Sequence, residues 1–134
     1  MSSIPTLSNK EWLLMRLLWE KSPQPAYDLI EILAKQESWH ANTVRTMLTR
    51  LHKKGALGIR PYKNLFLYYP IVSEEDCQSA ESESFLQRVY GGALQPALLH
   101  FAKRQKLSQD EIEELKRVLD GKSHPTQGKP TEEK

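Results

Sequence analysis

The segment from Ala41 to Pro70, ANTVRTMLTRLHKKGALGIRPYKNLFLYYP, decides the fold of this chain. Its first part repeats apolar residues at the spacing of one helix face, at Val44, Met47, Leu48 and Leu51. Two lysines and Gly55 follow, a combination typical of a helix C-terminus. Residues 65–69 are then an uninterrupted apolar and aromatic run, which favours a strand. The segment therefore predicts a helix over 41–54 and a β-hairpin over 56–70, with Lys63 and Asn64 at its turn.

Two further helices are predicted upstream of this segment. Ser8 and Glu11 have the spacing of a capping box, in which each side chain accepts a hydrogen bond from an otherwise unpaired N–H group at a helix start. The first helix carries an aromatic-rich stripe at Trp12, Met15, Leu18 and Trp19. The second helix, over 26–36, has its apolar face at Leu29, Ile30 and Leu33. Three helices followed by a hairpin is the order of a winged helix-turn-helix domain.

Three amphipathic helices are predicted downstream. Acidic residues after Ser73 start the first, which continues to Tyr90, and the others cover about 94–102 and 108–119. Ser108 and Glu111 have the spacing of a capping box at the start of the last helix. Together they contain too few apolar residues to enclose a core of their own, so they require a partner surface. A second copy of the chain is the interpretation we favour, and folding back onto the same chain is the alternative. The apolar residues predicted at the dimer interface are Phe85, Val89, Leu94, Leu98, Phe101, Ile112, Leu115 and Leu119.

The predicted fold is mainly α-helical with a small β-hairpin, a winged helix-turn-helix followed by a helical dimerisation arm. With 134 residues, the chain has room for one small domain and an appended arm. We expect residues 1–72 to form the DNA-binding domain and residues 73–120 the dimerisation region. Residues 121–134, rich in Ser, Pro, Gly, Lys and Glu, are expected to be a disordered tail.

The distribution of charge points to a polyanionic partner for the first half of the chain. Residues 1–72 carry ten Lys or Arg and five Asp or Glu, whereas residues 73–134 carry nine and twelve, so the halves have net charges of +5 and −3. The face of the third helix opposite its apolar stripe has no acidic residue. The residues predicted to contact double-stranded DNA are Asn42, Thr43, Arg45, Thr46, Thr49, Arg50, Lys53 and, in the hairpin turn, Lys63.

The chemistry of these side chains suggests two kinds of DNA contact. The N-terminal part of a recognition helix enters the major groove, where amide and hydroxyl side chains bond to base edges. Asn42, Thr43 and Thr46 are therefore candidates to face bases. The cations Arg45, Arg50, Lys53 and Lys63 are expected near phosphates, where contacts supply affinity and register rather than sequence choice.

Other classes of function find no support in these residues. No run of about 18 apolar residues occurs and no signal peptide is apparent, so we expect a cytoplasmic protein without membrane insertion. Cys77 is the only cysteine, which argues against a thiolate-rich metal site, and we expect it to be a packing residue. The four histidines lack ligand spacing, and no nucleophile with a base and no glycine-rich phosphate loop is visible. We therefore predict a non-enzymatic protein without a metal or another cofactor.

The sequence resembles one known family, the penicillinase and methicillin-resistance repressors (BlaI/MecI), which also include copper-responsive relatives. The resemblance spans about residues 7–120 and is specific, because separate motifs occur in the family's order. The matching segments are LSNKEW at 7–12, WHANTVRTMLTRL at 39–51, KKGAL at 53–57, YPIVSEE at 69–75, YGG at 90–92 and LSQDEIEEL at 107–115.

The resemblance implies a dimeric transcriptional repressor of antibiotic-resistance genes. Its winged helices would bind a dyad operator, and its C-terminal helices would hold the dimer. Induction in the family proceeds through a membrane sensor that detects β-lactam and leads to proteolysis within the C-terminal helices, by the sensor or by a downstream protease. The family cuts between Asn and Phe, and the matching positions here are His100 and Phe101, so only the second residue is kept. The cysteine pair of the copper-responsive relatives is missing from this chain.

Two other functions remain open from the sequence. A ligand-responsive transcriptional regulator would need a small-molecule pocket that residue patterns do not reveal. A winged helix that serves only as a protein-interaction module would not need an acid-free recognition face, and the third helix argues against it.

Overall fold

The computed structural model describes residues 4–122, and its chain divides into two compact units between Arg88 and Val89. The elements of the first unit are α1 (Asn9–Glu20), β1 (Gln24–Pro25), α2 (Ala26–Glu37), α3 (Ala41–Lys53), β2 (Leu57–Tyr62), β3 (Leu65–Pro70) and most of α4 (Glu74–Tyr90). The elements of the second unit are α5 (Leu94–Arg104) and α6 (Gln109–Lys122). The predicted mainly helical fold, with three helices leading to a hairpin, is confirmed.

The strands form one antiparallel sheet in the order β1-β3-β2. The predicted hairpin is present, with Tyr62 paired to Leu65 across its turn. The sequence pattern did not predict β1, in which Gln24 pairs with Tyr68 of β3. The Gln24 side chain is buried and its amide donates a hydrogen bond to the Lys21 carbonyl at 2.6 Å. This bond holds the short strand in place after α1.

The core of the first unit lies between its helices and the sheet. Its buried residues are Leu7, Leu14, Met15, Leu18, Leu29, Leu33, Val44, Met47, Leu48, Leu51, Ala56, Leu57 and Cys77. Burial, together with the charge of Asp76, raises the pKa of the Cys77 thiol, which therefore stays protonated as a packing residue. The indole N–H of Trp19 donates to the Val72 carbonyl at 3.0 Å and ties α1 to the segment that follows β3.

The second unit buries far less of its apolar surface. Of its described residues, only Ala97 is a buried hydrophobic side chain. The capping box predicted from Ser108 and Glu111 is present: Glu111 N–H donates to Ser108 Oγ at 3.1 Å, and Ser108 N–H donates to Glu111 Oε1 at 2.8 Å. The helix that they start includes Gly121 and Lys122, so the predicted tail boundary at residue 121 was two residues too early. The remainder of that tail prediction, residues 123–134, lies outside the described residues.

None of the helices within residues 4–122 is both long and apolar enough to cross a membrane. That part of the chain also has no group of three or more His, Cys, Asp or Glu side chains placed to hold a metal ion.

Candidate nucleic-acid interface

Helix α3 presents one face to the core and the other to solvent. Val44, Met47, Leu48 and Leu51 are buried and fix the helix against the rest of the unit. Seven of the eight residues predicted to contact DNA are exposed, and Thr43 is half-buried. The predicted base-facing residues Asn42, Thr43 and Thr46 occupy the first half of the helix, as expected for a helix that would enter a groove with its N-terminal end.

The exposed residues of α3 form stripes along the helix. Asn42, Thr46 and Lys53 are separated by four and seven residues and follow one line along its surface. Arg45 and Thr49 form a neighbouring line, and the Thr49 hydroxyl donates to the Arg45 carbonyl at 3.0 Å. Because its proton is engaged, the Thr49 side chain offers an outside partner its methyl group and the lone pairs of its oxygen.

The charge of this face is uncompensated. Helix α3 contains no Asp or Glu, and its last turn carries Arg50, His52 and Lys53. Among the ion pairs formed within residues 4–122, none involves Arg45, Arg50 or Lys53. These cations are therefore available to an anionic partner, and phosphate oxygens have the required chemistry.

The entry to α3 is fixed by packing rather than by a side-chain cap. His40 occupies the N-cap position, and its side chain accepts no capping hydrogen bond. Trp39, which precedes it, is half-buried and packs against the core. Lys10 of α1 places its Nζ 5.4 Å from the centre of the Trp39 ring, a cation–π contact. The tryptophan is therefore an anchor for the start of α3.

The hairpin adds a second basic element, which we call the wing (residues 57–70). Lys63 adopts a left-handed backbone conformation, φ 56°, at the turn, and its Nζ lies 5.3 Å from the centre of the Tyr62 ring. Arg60 was not among the predicted contact residues; it is an exposed cation of β2 whose guanidinium carbon lies 5.9 Å from the centre of the Tyr69 ring. The alternation of Arg60 with Tyr62 along one strand face was the signal that could have found it.

The conformation of the wing depends on a glycine. Gly58 pairs with Tyr69 across the sheet, and a Cβ atom at Gly58 would lie 2.3 Å from Tyr69 Cζ. The tyrosine ring occupies the space that a side chain at position 58 would need. This arrangement places the ring beneath the guanidinium of Arg60.

An ion pair joins the first helix to the end of α3. Lys54 Nζ lies 2.5 Å from a carboxylate oxygen of Glu11 and 2.7 Å from the Thr6 carbonyl oxygen. Burial of the Glu11 carboxylate opposes its ionisation, but hydrogen bonds from Lys54 and Ser8 and the charge of Lys54 outweigh that effect and lower its pKa. Lys54 thus differs from its neighbour Lys53, which has no such partner among the described residues.

The residues predicted for dimerisation lie on α4, α5 and α6. Phe85 and Ile112 are half-buried, whereas the other six are exposed: Val89, Leu94, Leu98, Phe101, Leu115 and Leu119. The predicted cleavage pair His100 and Phe101 lies inside α5, where the two rings are in edge-to-face contact at 5.4 Å between centroids. Each of these residues belongs to a helix, as its sequence pattern predicted.

Comparison with known proteins places the chain among repressors. A family model described as "Penicillinase repressor" matches residues 7–121. The methicillin resistance regulatory protein MecI of Staphylococcus aureus is 38% identical over 116 residues, which cover 87% of this chain and 94% of MecI. The penicillinase repressor of Bacillus licheniformis is 38% identical over 120 residues, which cover 90% of this chain and 94% of that protein.

A solved structure agrees with these sequence matches. It is the solution structure of the monomeric form of Bacillus licheniformis BlaI in complex with the blaP half-operator, with 37% identity and a TM-score of 0.51 over 57% of this chain and 93% of that one. The matches confirm the resemblance found in the sequence motifs, and the family consists of transcriptional repressors rather than enzymes. The chain belongs to the penicillinase repressor family.

Proposed function

We propose that this protein is a sequence-specific DNA-binding transcriptional repressor that binds a dyad operator as a homodimer. The observation that carries the proposal is the exposed face of α3, which is free of acidic residues and bears Thr, Asn and Arg side chains. A family relative has been solved with a half-operator, which supports the same class of ligand for this chain. Antibiotic-resistance genes are the targets that its family membership suggests.

The contacts divide by chemistry. Asn42, Thr43 and Thr46 face base edges, where amide and hydroxyl groups discriminate between base pairs. The cations Arg45, Arg50, Lys53 and Lys63 neutralise phosphates, and the position of Thr49 between them gives it a contact to the same strand. Residues 1–72 serve as the DNA-binding domain.

The second copy of the chain binds through residues 73–120. The support is physical: α5 and α6 leave Leu94, Leu98, Leu115 and Leu119 at 39–51% exposure. Apolar side chains repeated at helical spacing are stabilised when a matching surface removes them from water. A self-complementary contact between two such arms would also place two recognition helices on the two half-sites of a dyad.

Release from DNA proceeds by proteolysis at His100–Phe101, through a membrane sensor protease or a downstream protease. A helical peptide bond does not fit a protease cleft, so α5 must open locally before the cut. The low burial of α5, in which only Ala97 is a buried residue, favours such opening. The repressor itself works in the cytoplasm, where its operator lies.

Selection of bound duplexes from a random pool, followed by fluorescence-anisotropy titration at several salt concentrations, tests DNA binding. We expect enrichment of a dyad with half-sites about one helical turn apart. Arg50→Ala should weaken binding and reduce the slope of log affinity against log salt by about 0.9, because one phosphate contact is lost. Arg16→Ala, which removes an exposed arginine of α1, is the matched control and should leave the slope unchanged.

The possible outcomes separate the competing functions. Absence of any enriched sequence would reject the repressor and favour a protein-interaction module. Enrichment that disappears on addition of a small molecule would favour a ligand-responsive regulator over release by proteolysis. An unchanged slope in Arg50→Ala would reject its phosphate contact while leaving operator binding intact.

Sedimentation of the Leu98→Asp variant tests the dimer. A carboxylate at this position, which is 39% exposed in the single chain, would be buried in the proposed interface, so we expect monomers with weakened affinity for the dyad. Gln95→Asp, which adds the same charge at an exposed site of the same helix, is the control and should stay dimeric. A Leu98→Asp protein that remains dimeric would place the interface elsewhere.

A further inference from the structure

Two adjacent lysines at the end of α3 have different surroundings. Lys53 is exposed and enters no ion pair within residues 4–122. The Nζ atom of Lys54 lies 2.5 Å from the Glu11 carboxylate and donates a second hydrogen bond to the Thr6 carbonyl at 2.7 Å. The charge of Lys54 therefore has an internal partner, whereas that of Lys53 faces solvent.

Three segments of the first unit meet at the carboxylate of Glu11. Its side chain is 2% exposed, so its oxygens depend on hydrogen bonds from the protein rather than from water. Besides Lys54, it accepts the Ser8 N–H at 2.9 Å, while its own N–H donates to Ser8 Oγ at 3.2 Å. The segment before α1, the first turn of α1 and the end of α3 meet here, although 43 residues separate Glu11 from Lys54.

The backbone of Lys54 links the Glu11–Lys54 contact to the last turn of α3. Lys54 is the C-cap residue of α3, and its N–H donates to the Arg50 carbonyl at 2.9 Å. The adjacent N–H groups of Gly55 and Ala56 donate to the carbonyls of His52 and Leu51. Holding Lys54 in place therefore holds the helical turn that carries Arg50 and Lys53.

Apolar packing alone does not define the position of this turn. Contacts of Leu48 and Leu51 with the core are non-directional, so they set no preferred hydrogen-bond geometry for the turn. A charged pair with directed hydrogen bonds has a narrower range of geometries. A shift of the turn by about an ångström would move its DNA-contacting side chains out of hydrogen-bond range of the duplex.

From this geometry we infer that Glu11 and Lys54 are positioning residues for DNA binding, and that Lys54 contacts Glu11 instead of a phosphate. The inference rests on the proposed function and extends it to two residues that touch no DNA. It assigns different roles to neighbouring lysines: Lys53 faces the duplex, and Lys54 fixes the helix that presents it.

The test uses Glu11→Gln, Lys54→Gln, the double variant, and Lys53→Gln in the full chain. Glutamine keeps the length of Glu11 and an oxygen that can accept the Ser8 N–H, so the capping box is retained while the ion pair is lost. Affinity for the operator duplex selected by the unmodified protein is measured by anisotropy at several salt concentrations. A stoichiometric titration of each variant gives its active fraction and separates mispositioning from unfolding.

We expect Glu11→Gln and Lys54→Gln each to lower affinity about fivefold or more at full active fraction, the effect of disturbing one base contact. Their salt slopes should equal that of the unmodified protein, because no phosphate contact is removed. The double variant should lose no more than the weaker-binding single variant, since both changes break one interaction. Lys53→Gln should instead reduce the slope by about 0.9.

Two results would overturn the inference. Unchanged affinity in Glu11→Gln would mean that the ion pair has no effect on DNA binding, and a slope reduced by about 0.9 in Lys54→Gln would mean that Lys54 contacts a phosphate. Failure of the unmodified protein to bind any selected duplex would be a different result, because it would reject the proposed function and the inference together.

Discussion

The two compact units of this chain bury their apolar residues to very different extents. In the first unit, thirteen side chains form one core, and five of its leucines are completely buried. Among the described residues of the second unit, Ala97 alone is buried, and leucines at the same helical spacing remain 39–51% exposed. Amphipathic sequence patterns of similar strength have therefore led to a closed core in one unit and to an open apolar surface in the other.

The difference shows that an apolar stripe specifies a buried face but not the surface that covers it. The stripe of α1 is covered by α2, α3 and the sheet of the same chain. The stripes of α5 and α6 are exposed in the single chain, and the second copy proposed above would cover them. Stability of the first unit should consequently be independent of protein concentration, whereas structure in the second unit should increase with it.

The largest expected effect is a difference in unfolding free energy between alanine variants of two leucines, one from each unit. Leu14 is completely buried, and Leu14→Ala should lower the free energy of unfolding by about 3 kcal/mol because it leaves a cavity. Leu115 is 44% exposed, and Leu115→Ala should have little effect when measured in the Leu98→Asp background, where the proposed partner is absent. Urea titration by tryptophan fluorescence follows the first unit, since all three tryptophans precede residue 40, and circular dichroism follows the helices of both units.

An equal loss of unfolding free energy in Leu14→Ala and Leu115→Ala would contradict this difference between the two units. Such a result would mean that the second unit forms a complete core within one chain. The alternative of folding back onto the same chain would then replace the dimer.

A smaller difference in unfolding free energy is expected between the ion pairs of the two units. The pKa of Glu11 is lower in the folded chain than its ordinary value of 4.5, so its ionised form stabilises the fold above pH 4.5 and this contribution is lost as the pH falls through the lowered pKa. We expect the unmodified protein to exceed Glu11→Gln by about 1–2 kcal/mol in unfolding free energy at pH 7, and by much less at pH 3. Urea titrations at both values measure the difference.

The matched control is Glu114→Gln in α6. Glu114 pairs with Arg117, but both side chains are about two-thirds exposed, and solvent screens such pairs. The control should therefore change stability little at either pH. A Glu11→Gln difference that is the same at pH 3 and pH 7 would show that the charge of Glu11 is not the source of its contribution.

Much of the fold was predictable because its local signals agree with one another. The capping boxes at Ser8 and Ser108 marked the starts of α1 and α6, and the change of period after Gly55 marked the wing. The strand β1 was not predictable, since a two-residue strand has no periodicity and forms only because Gln24 meets Tyr68 of β3. The end of α6 beyond Gly121 was missed because glycine usually terminates a helix.

The candidate site was predictable in part. A helix that buries Val44 and Leu51 must expose Asn42, Arg45 and Thr49, so periodicity alone assigned that face. The difference between Lys53 and Lys54 was beyond sequence reasoning, because it depends on Glu11, 43 positions away from Lys54. Residues whose role depends on a long-range contact require the folded structure.

The smallest expected effect is a difference in unfolding free energy between alanine variants of two glycines, one from each unit. Gly58→Ala would place a Cβ 2.3 Å from Tyr69 Cζ, so the ring must move away from Arg60, and we expect a loss of about 1 kcal/mol in unfolding free energy. Gly121→Ala meets no atom within 4 Å and lies in a helix, where alanine is the better residue, so stability should be unchanged or slightly raised. Urea titration of both variants measures the contrast. If Gly58→Ala proved as harmless as Gly121→Ala, the wing would tolerate a displaced Tyr69, and the dense packing that distinguishes the first unit would end at its core rather than extend into the hairpin.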